Sequence, residues 1–279
     1  MSQREYTVTV VVENAERNGF AHEHGLAFWI QTPDGNILFD TGQGNALIPN
    51  AAAMGIDLST ANYIVLSHGH FDHSGALDQV LEINTSAMLV HHPDIFRQRF
   101  SIPENEAPRY IGMQPNVCTA IHNLPPQRIF SSVASLELLP GVGTTGEIPR
   151  ANSYEDVGGP FFLDEDRTQP DTVPDDQSLW FKTDQGLVII SGCAHAGIVN
   201  TVHQARRVTG EHRILGLIGG FHLHSASSHR MRETAKALTD WNVSFVHPCH
   251  CSGQNATDYL ATALGNRVTA TGTGDILKF

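Results

Sequence analysis

The chain is written in short apolar runs, most of which stop at a polar loop. Thr7 to Val12 is rich in β-branched residues and predicts a strand. Leu26 to Gln31 and Asn36 to Phe39 predict two more, joined by Pro33-Asp34-Gly35, where Pro presets φ and Gly accepts a positive one. Helical periodicity covers Ala46 to Met54, closed by Gly55. A buried strand follows at Tyr63 to Leu66, then a helix from Gly75 to Glu82 and a strand from Ala87 to Val90. Regular pattern returns in a hairpin, Ser178 to Thr183 and Leu187 to Ser191. It continues through a helix (198–208), a strand (214–218), a helix (229–241), a strand (243–246), a helix (257–264) and a last strand (276–279).

Residues 93 to 176 have a different texture. Prolines recur through them and long periodicity is absent, although Leu136 to Leu139 has strand character. The expectation is a single domain over 1–279 carrying an irregular insertion at about 93–176, used as a lid or for substrate recognition. No internal sequence repeat is evident.

The polar loops carry the chemistry. Three imidazoles and a carboxylate leave the Tyr63 strand together in His68-Gly69-His70-Phe71-Asp72-His73. A helix or a strand would spread these side chains over different faces, whereas a loop can fold them around one ion. Neutral imidazole and carboxylate suit zinc, iron or manganese. Gly192-Cys193-Ala194-His195 follows a second buried strand, and His195 is favoured as a ligand. Cys193 is either a thiolate ligand or a small buried thiol. In His247-Pro248-Cys249-His250-Cys251, His250 alone is expected to ligate, both cysteines being packing, because neighbours in an extended turn point apart. Gly219-Gly220 admit close backbone approach before His222, which is expected to face metal or substrate. Asp40 either orients a ligand imidazole or caps a turn. Asp175-Asp176 precede the hairpin, with Asp176 expected to contribute a carboxylate to substrate or behind a ligand, and His24 is placed at the mouth of the site. His22, His91 and His92 fall outside any ligand spacing.

Composition narrows the partners. The formal net charge of −12 argues against non-specific nucleic-acid binding and against an anionic membrane surface. It leaves room for an anionic small-molecule substrate, because divalent ions reverse the local field. Four cysteines without framework spacing indicate a reducing compartment, and no run is long enough to span a membrane, so a cytoplasmic location is expected.

His68-Gly69-His70-Phe71-Asp72-His73 resembles the HxHxDH motif of the metallo-β-lactamase superfamily residue by residue. Within it the chain is similar to a branch of 7,8-dihydropterin-6-methyl-4-(β-D-ribofuranosyl)aminobenzene-5′-phosphate synthases. That likeness rests on His24-Gly25-Leu26, Phe39-Asp40-Thr41-Gly42, Gly146-Glu147-Ile148-Pro149-Arg150, Gly192-Cys193-Ala194-His195, Gly219-Gly220-Phe221-His222-Leu223 and His250-Cys251-Ser252-Gly253.

The resemblance implies a four-layer αβ/βα sandwich, two mixed β-sheets with helices on both outer faces. It implies one or two divalent cations, zinc foremost. His68 and His70 would hold one, and Asp72, His73 and His250 the other; either His195 completes the first site from a shifted position or that site is weakened. The superfamily pattern places a histidine before the 178–191 hairpin and a bridging Asp after it. This chain has Asp175-Asp176 and Cys193 at those places.

The expected activity is hydrolysis by metal-activated water, with Asp72 as a base and His222 stabilising an oxyanion. A phosphodiester or cyclic phosphate is the expected substrate, ahead of a lactone or thioester. The alternatives are a pterin-related transferase and a non-catalytic, metal-pinned sensor.

Overall fold

The computed structural model describes residues 4–17 and 19–279. In chain order the first elements are β1 (Thr7–Val12), β2 (Ala27–Thr32), β3 (Gly35–Phe39), α1 (Leu47–Ala53), β4 (Tyr63–Val65), α2 (Phe71–Ser74), α3 (Leu77–Ile83) and β5 (Met88–His91). Residues 93 to 176 contribute β6 (Phe100–Ser101), β7 (Arg109–Tyr110), α4 (Pro115–His122), β8 (Ile129–Ser131), β9 (Glu137–Leu139), β10 (Val142–Thr144) and β11 (Phe161–Phe162). The remainder is β12 (Ser178–Thr183), β13 (Gly186–Ser191), α5 (Ile198–Thr209), β14 (Ile214–Gly220), α6 (Ser228–Asp240), β15 (Phe245–Cys249), α7 (Gln254–Leu264) and β16 (Ile276–Lys278).

Two compact units result. The first comprises 1–133, 161–171 and 272–279, and the second 134–160 and 172–271. In the first, a seven-stranded mixed sheet runs in the order β16-β1-β2-β3-β4-β5-β8. Val11, Ala27, Trp29, Leu38, Ile64 and Leu89 pack against Leu47, Ala51, Leu77, Val80, Val117 and Ile121 from the helices. The alternate positions Val8, Val10, Phe28, Ile30, Ile37, Phe39 and Val65 are fully buried as well. Burial on both faces makes the strands read as continuous apolar runs instead of alternating ones. Each fully buried Leu, Ile or Phe contributes about 1.5–3 kcal/mol.

The second unit has a six-stranded sheet, β15-β14-β13-β12-β10-β9. Trp180, Leu187, Ile189 and Leu217 pack on Val199, Val202, Met231, Leu238 and Leu260. The segment 93–176 is divided between the units: β8 pairs in parallel with β5, and β10 antiparallel with β12. A separate three-stranded sheet, β11-β6-β7, lies in the first unit.

The units share a strand pattern that no sequence repeat announces. In each, a tight hairpin (β2–β3, β12–β13) is followed by two parallel strands (β4–β5, β14–β15). The two hairpins close alike. Thr32 Oγ1 donates to the Gly35 carbonyl at 2.9 Å and accepts from the Asp34 N–H at 3.1 Å. Thr183 does the same with Gly186 (2.8 Å) and Gln185 (3.1 Å). Gly35 and Gly186, at φ 153° and 136°, take the position that disfavours a side chain. In an open α/β sheet the carboxyl ends of such strands are where sites are built, and in both units the ligand-type residues lie there.

Candidate metal centre

Four residues just beyond strand ends hold positive φ without being glycine: Asp40 (61°) after β3, Ala194 (52°) after β13, His222 (47°) after β14 and His250 (51°) after β15. Left-handed backbone costs a non-glycine residue about 1–2 kcal/mol, Asp least. The strain turns each strand end abruptly, and it is concentrated where the candidate ligands are.

In the first unit the buried Asp40 carboxylate organises two imidazoles. It accepts from the Ser67 backbone N–H and from Ser67 Oγ–H, each at 2.7 Å, and from His73 Nδ1–H, also at 2.7 Å. Because Ser67 gives its one hydroxyl proton to Asp40, its oxygen accepts from His68 Nδ1–H at 2.8 Å. Both imidazoles therefore carry their proton on Nδ1 and keep a lone pair on Nε2. His68 Nε2 lies 3.0 Å from His70 Nδ1, and the His68 and His73 rings have centroids 4.3 Å apart. Asp72 Oδ2 is 3.7 Å from His73 Nε2 and 3.1 Å from His24 Nε2. The Asp72 hydrogen bond raises the His24 pKa above its ordinary value, against the opposing effect of burial. Thus His24, Asp40, His68, His70, Asp72 and His73 form one cluster, with Asp40 behind the imidazoles. The ring of Phe161 lies against His70, centroids 5.5 Å apart.

In the second unit the ligand atoms of Cys193, His195 and His222 lie within 4.8 Å of one another, and so do those of Cys193, His250 and Cys251. His195 Nδ1–H donates to the Val157 carbonyl at 2.9 Å, which leaves the lone pair of His195 on Nε2. The Val157 carbonyl is held by its neighbours. Arg230, fully buried, donates to Asp156 Oδ1 at 2.7 Å, and the His222 ring fills the space beside Gly158, where a Cβ would come within 1.8 Å of it. Arg150 donates to the His195 carbonyl at 2.7 Å and to the Thr172 carbonyl at 2.8 Å. The Glu155 carboxylate accepts from the Val199 and Asn200 N–H groups at 2.8 and 2.9 Å, capping α5 from outside the helix.

Asp176 accepts from the Ala196 N–H at 2.8 Å, behind the Cys193–His195 turn. Burial pushes its carboxyl up to about 7, against the Ala196 hydrogen bond and the Arg150 charge. Burial also raises the Cys251 thiol, but the hydrogen bond with Cys193 and the His222 and His250 imidazoles outweigh it and hold the thiol well below its ordinary value.

Cys251, expected only to pack, lies with its sulfur near the Cys193 and His250 donor atoms, because His250–Ser252 is a 3₁₀ turn entered with His250 in the left-handed region and not an extended turn. That turn carries His250 and Cys251 to a common side. Sequence reasoning missed Arg150, Glu155 and Arg230, although the Gly146 to Arg150 stretch had been singled out. His91 and His92 serve locally: His91 bonds the His92 carbonyl at 2.8 Å, and His92 Nδ1 accepts the Asp94 N–H at 3.1 Å.

The donor sets are those of a transition-metal site: imidazole nitrogens with fixed protons, a carboxylate and thiols. On that chemistry the residues present fit divalent cations. Among the described residues no helix is long and apolar enough to cross a membrane.

Known proteins resemble this chain in sequence and in fold. A synthase of Methanocaldococcus jannaschii, named for 7,8-dihydropterin-6-methyl-4-(β-D-ribofuranosyl)-aminobenzene-5′-phosphate, is 31% identical over 270 residues, covering 93% of this chain and 91% of its own. An uncharacterised protein of the same organism is 28% identical over 258 residues, covering 91% and 93%. The crystal structure of Tm1679, described as a metal-dependent hydrolase of the β-lactamase superfamily, superposes with a TM-score of 0.82 at 26% identity, covering 98% of each chain. The model of the metallo-β-lactamase superfamily matches residues 22–208. The fold is that of the metallo-β-lactamases, and the chain belongs to the metallo-β-lactamase superfamily.

Proposed function

We propose that this enzyme is a metal-dependent hydrolase of phosphodiesters or cyclic phosphates. Its cation ligands are His68, His70, Asp72, His73, Cys193, His195 and His250. Zinc is the proposed cation ahead of iron or manganese, with one or two per chain. The observation that carries the reading is the proton placement on His68, His73 and His195. Their Nδ1 protons are given to Ser67, Asp40 and the Val157 carbonyl, so all three present Nε2 lone pairs. Structural imidazoles have no need of such uniform preparation.

When bound, divalent cations polarise a substrate oxygen and lower the pKa of a coordinated water. The residues supply the rest. Asp72, a carboxylate hydrogen-bonded to His24, orients the attacking water and receives its proton. His222 donates a hydrogen bond to charge developing on substrate oxygen. Phe161, beside His70, gives an apolar wall, and the 93–176 segment to which it belongs recognises the substrate. The chain's net charge of −12 would repel an anionic phosphate, so capture depends on locally reversed charge at the cations.

A second reading is favoured by one observation, the 31% identity with a protein named as a pterin-related synthase. On that reading the same cations serve a transferase joining a dihydropterin to an aminobenzene ribosyl phosphate. A panel of a phosphodiester, a 2′,3′-cyclic nucleotide, a lactone and a thioester, run on metal-loaded protein, tests the first reading. Phosphodiester turnover abolished in His70→Ala supports it. Formation of the coupled pterin product, detected by mass with none of the panel hydrolysed, overturns it in favour of the second. Metal-loaded protein inert in both assays favours a sensor.

A further inference from the structure

Two thiols meet in the second unit with imidazoles around them. Cys193 ends β13, and Cys251 lies in the 3₁₀ turn that follows β15. The ligand atoms of Cys193, His250 and Cys251 fall within 4.8 Å of one another. Donors sharing one tetrahedral zinc stand about 3.5–4 Å apart, so the trio needs little movement to close on an ion. Cys193 belongs also to the trio with His195 and His222. It is thus common to both donor groups, at the place where the superfamily pattern expects a bridging carboxylate.

The backbone makes room for the second sulfur. A Cβ on Gly220 would lie 2.7 Å from Cys251 Sγ and 2.2 Å from the Gly192 carbonyl oxygen, so a side chain there would displace the thiol. Cys251 Sγ also lies 3.6 Å from the Cys193 carbonyl oxygen, which draws the two cysteines together. Ser252, the next residue, fixes the turn: its Oγ accepts from the Phe221 N–H at 3.1 Å.

We infer that Cys193 and Cys251 are both thiolate ligands, so that the centre selects soft, thiophilic divalent cations. The inference rests on the metal-dependent reading above and deepens it. Each thiol gives up its proton when its sulfur binds the cation. Two sulfurs and imidazoles favour zinc, cobalt or ferrous iron over magnesium and manganese, which prefer oxygen donors.

The test uses the full chain, purified reduced, stripped with chelator and reloaded with cobalt(II) alone. Thiolate bound to cobalt(II) gives a near-ultraviolet charge-transfer band that imidazole and carboxylate do not give. The expected result is a strong band in the wild type, reduced by about half in Cys251→Ser and in Cys193→Ser alike, and unchanged in Cys118→Ser. Cobalt bound without the band, or an undiminished band in a folded Cys251→Ser, overturns the inference while leaving metal dependence standing. No cobalt bound at all overturns both. If Cys251→Ser fails to fold, the wild-type intensity decides: absorption per cobalt matching two cobalt–thiolate bonds supports the inference, and absorption matching one bond or none overturns it.

Discussion

Asp40→Asn isolates one carboxylate that prepares two ligands. Asn has the same shape and tolerates the left-handed backbone (φ 61°) that Asp40 adopts, so the main chain has no reason to move. The proton inventory does change. The carboxylate accepts three hydrogen bonds at 2.7 Å. An amide oxygen can keep the Ser67 N–H, but the amide nitrogen then faces Ser67 Oγ and His73 Nδ1 with hydrogens of its own. To accept from it, His73 must shift its proton to Nε2. Ser67, turned away, donates to His68 Nδ1, and His68 must likewise protonate Nε2. Both imidazoles then present N–H to the cation instead of a lone pair. Loss of one partner behind a ligand typically weakens metal binding 10–100-fold. With two ligands affected, the expected loss is about 100-fold, or ~2.7 kcal/mol at ~1.36 kcal/mol per decade. Metal-free stability changes less, by about 1–2 kcal/mol, because hydrogen bonds lost from a buried charge are offset by the removal of that charge. Zinc affinity is read by competition with a chromophoric chelator, and stability by urea unfolding of stripped protein. A folded Asp40→Asn protein that binds zinc as tightly as wild type would refute the reasoning.

Further expectations follow from the second unit and from the acid limb. Glu155→Ala uncaps α5 by removing acceptors from the Val199 and Asn200 N–H groups, and should cost about 1–2 kcal/mol in chemical denaturation. Unchanged stability would remove Glu155 from the account. Gly220→Ala places a methyl against the Gly192 carbonyl and Cys251 Sγ, with an overpacking cost of about 1–3 kcal/mol and a weakened cobalt–thiolate band. An intact band would show that the sulfur does not need that space. Burial holds the His91 pKa below its ordinary value, so His91 stays neutral in the folded chain where the unfolded chain takes up a proton. Its contribution to stability is complete above about pH 6.5 and is lost as the pH falls below that value. His91→Phe should therefore flatten the acid limb of a plot of unfolding midpoint against pH, and an identical slope would contradict this.

Much of the architecture is legible because both sheets bury both faces. Val10 to Val12, Leu187 to Ile190 and Ile214 to Ile218 read as uninterrupted apolar runs, and the strands they mark end within a residue or two of the expected positions. The HxHxDH loop is legible because four donors in six residues leave few alternatives. Local pattern gives out in the 93–176 segment, where α4 has only eight residues and β6, β7 and β11 have two each. Elements that short take their conformation from partners distant in sequence. The same reason hides Arg150, Glu155 and Arg230, which act on groups 45, 44–45 and 74 positions away. Nothing in a linear pattern announces that a backbone carbonyl at Val157 fixes the proton on His195. Cys251 was hidden by a single dihedral: with His250 at φ 51° the chain turns where an extended reading would have pointed the thiol away.

The central claim, that the imidazole, carboxylate and thiol groups named above hold divalent cations, is tested most directly by metal analysis of protein reloaded with zinc and then desalted. The account predicts at least one equivalent per chain in the wild type, with losses in both His70→Ala and His250→Ala. Folded wild-type protein that retains no zinc, iron or manganese when each is supplied would contradict it.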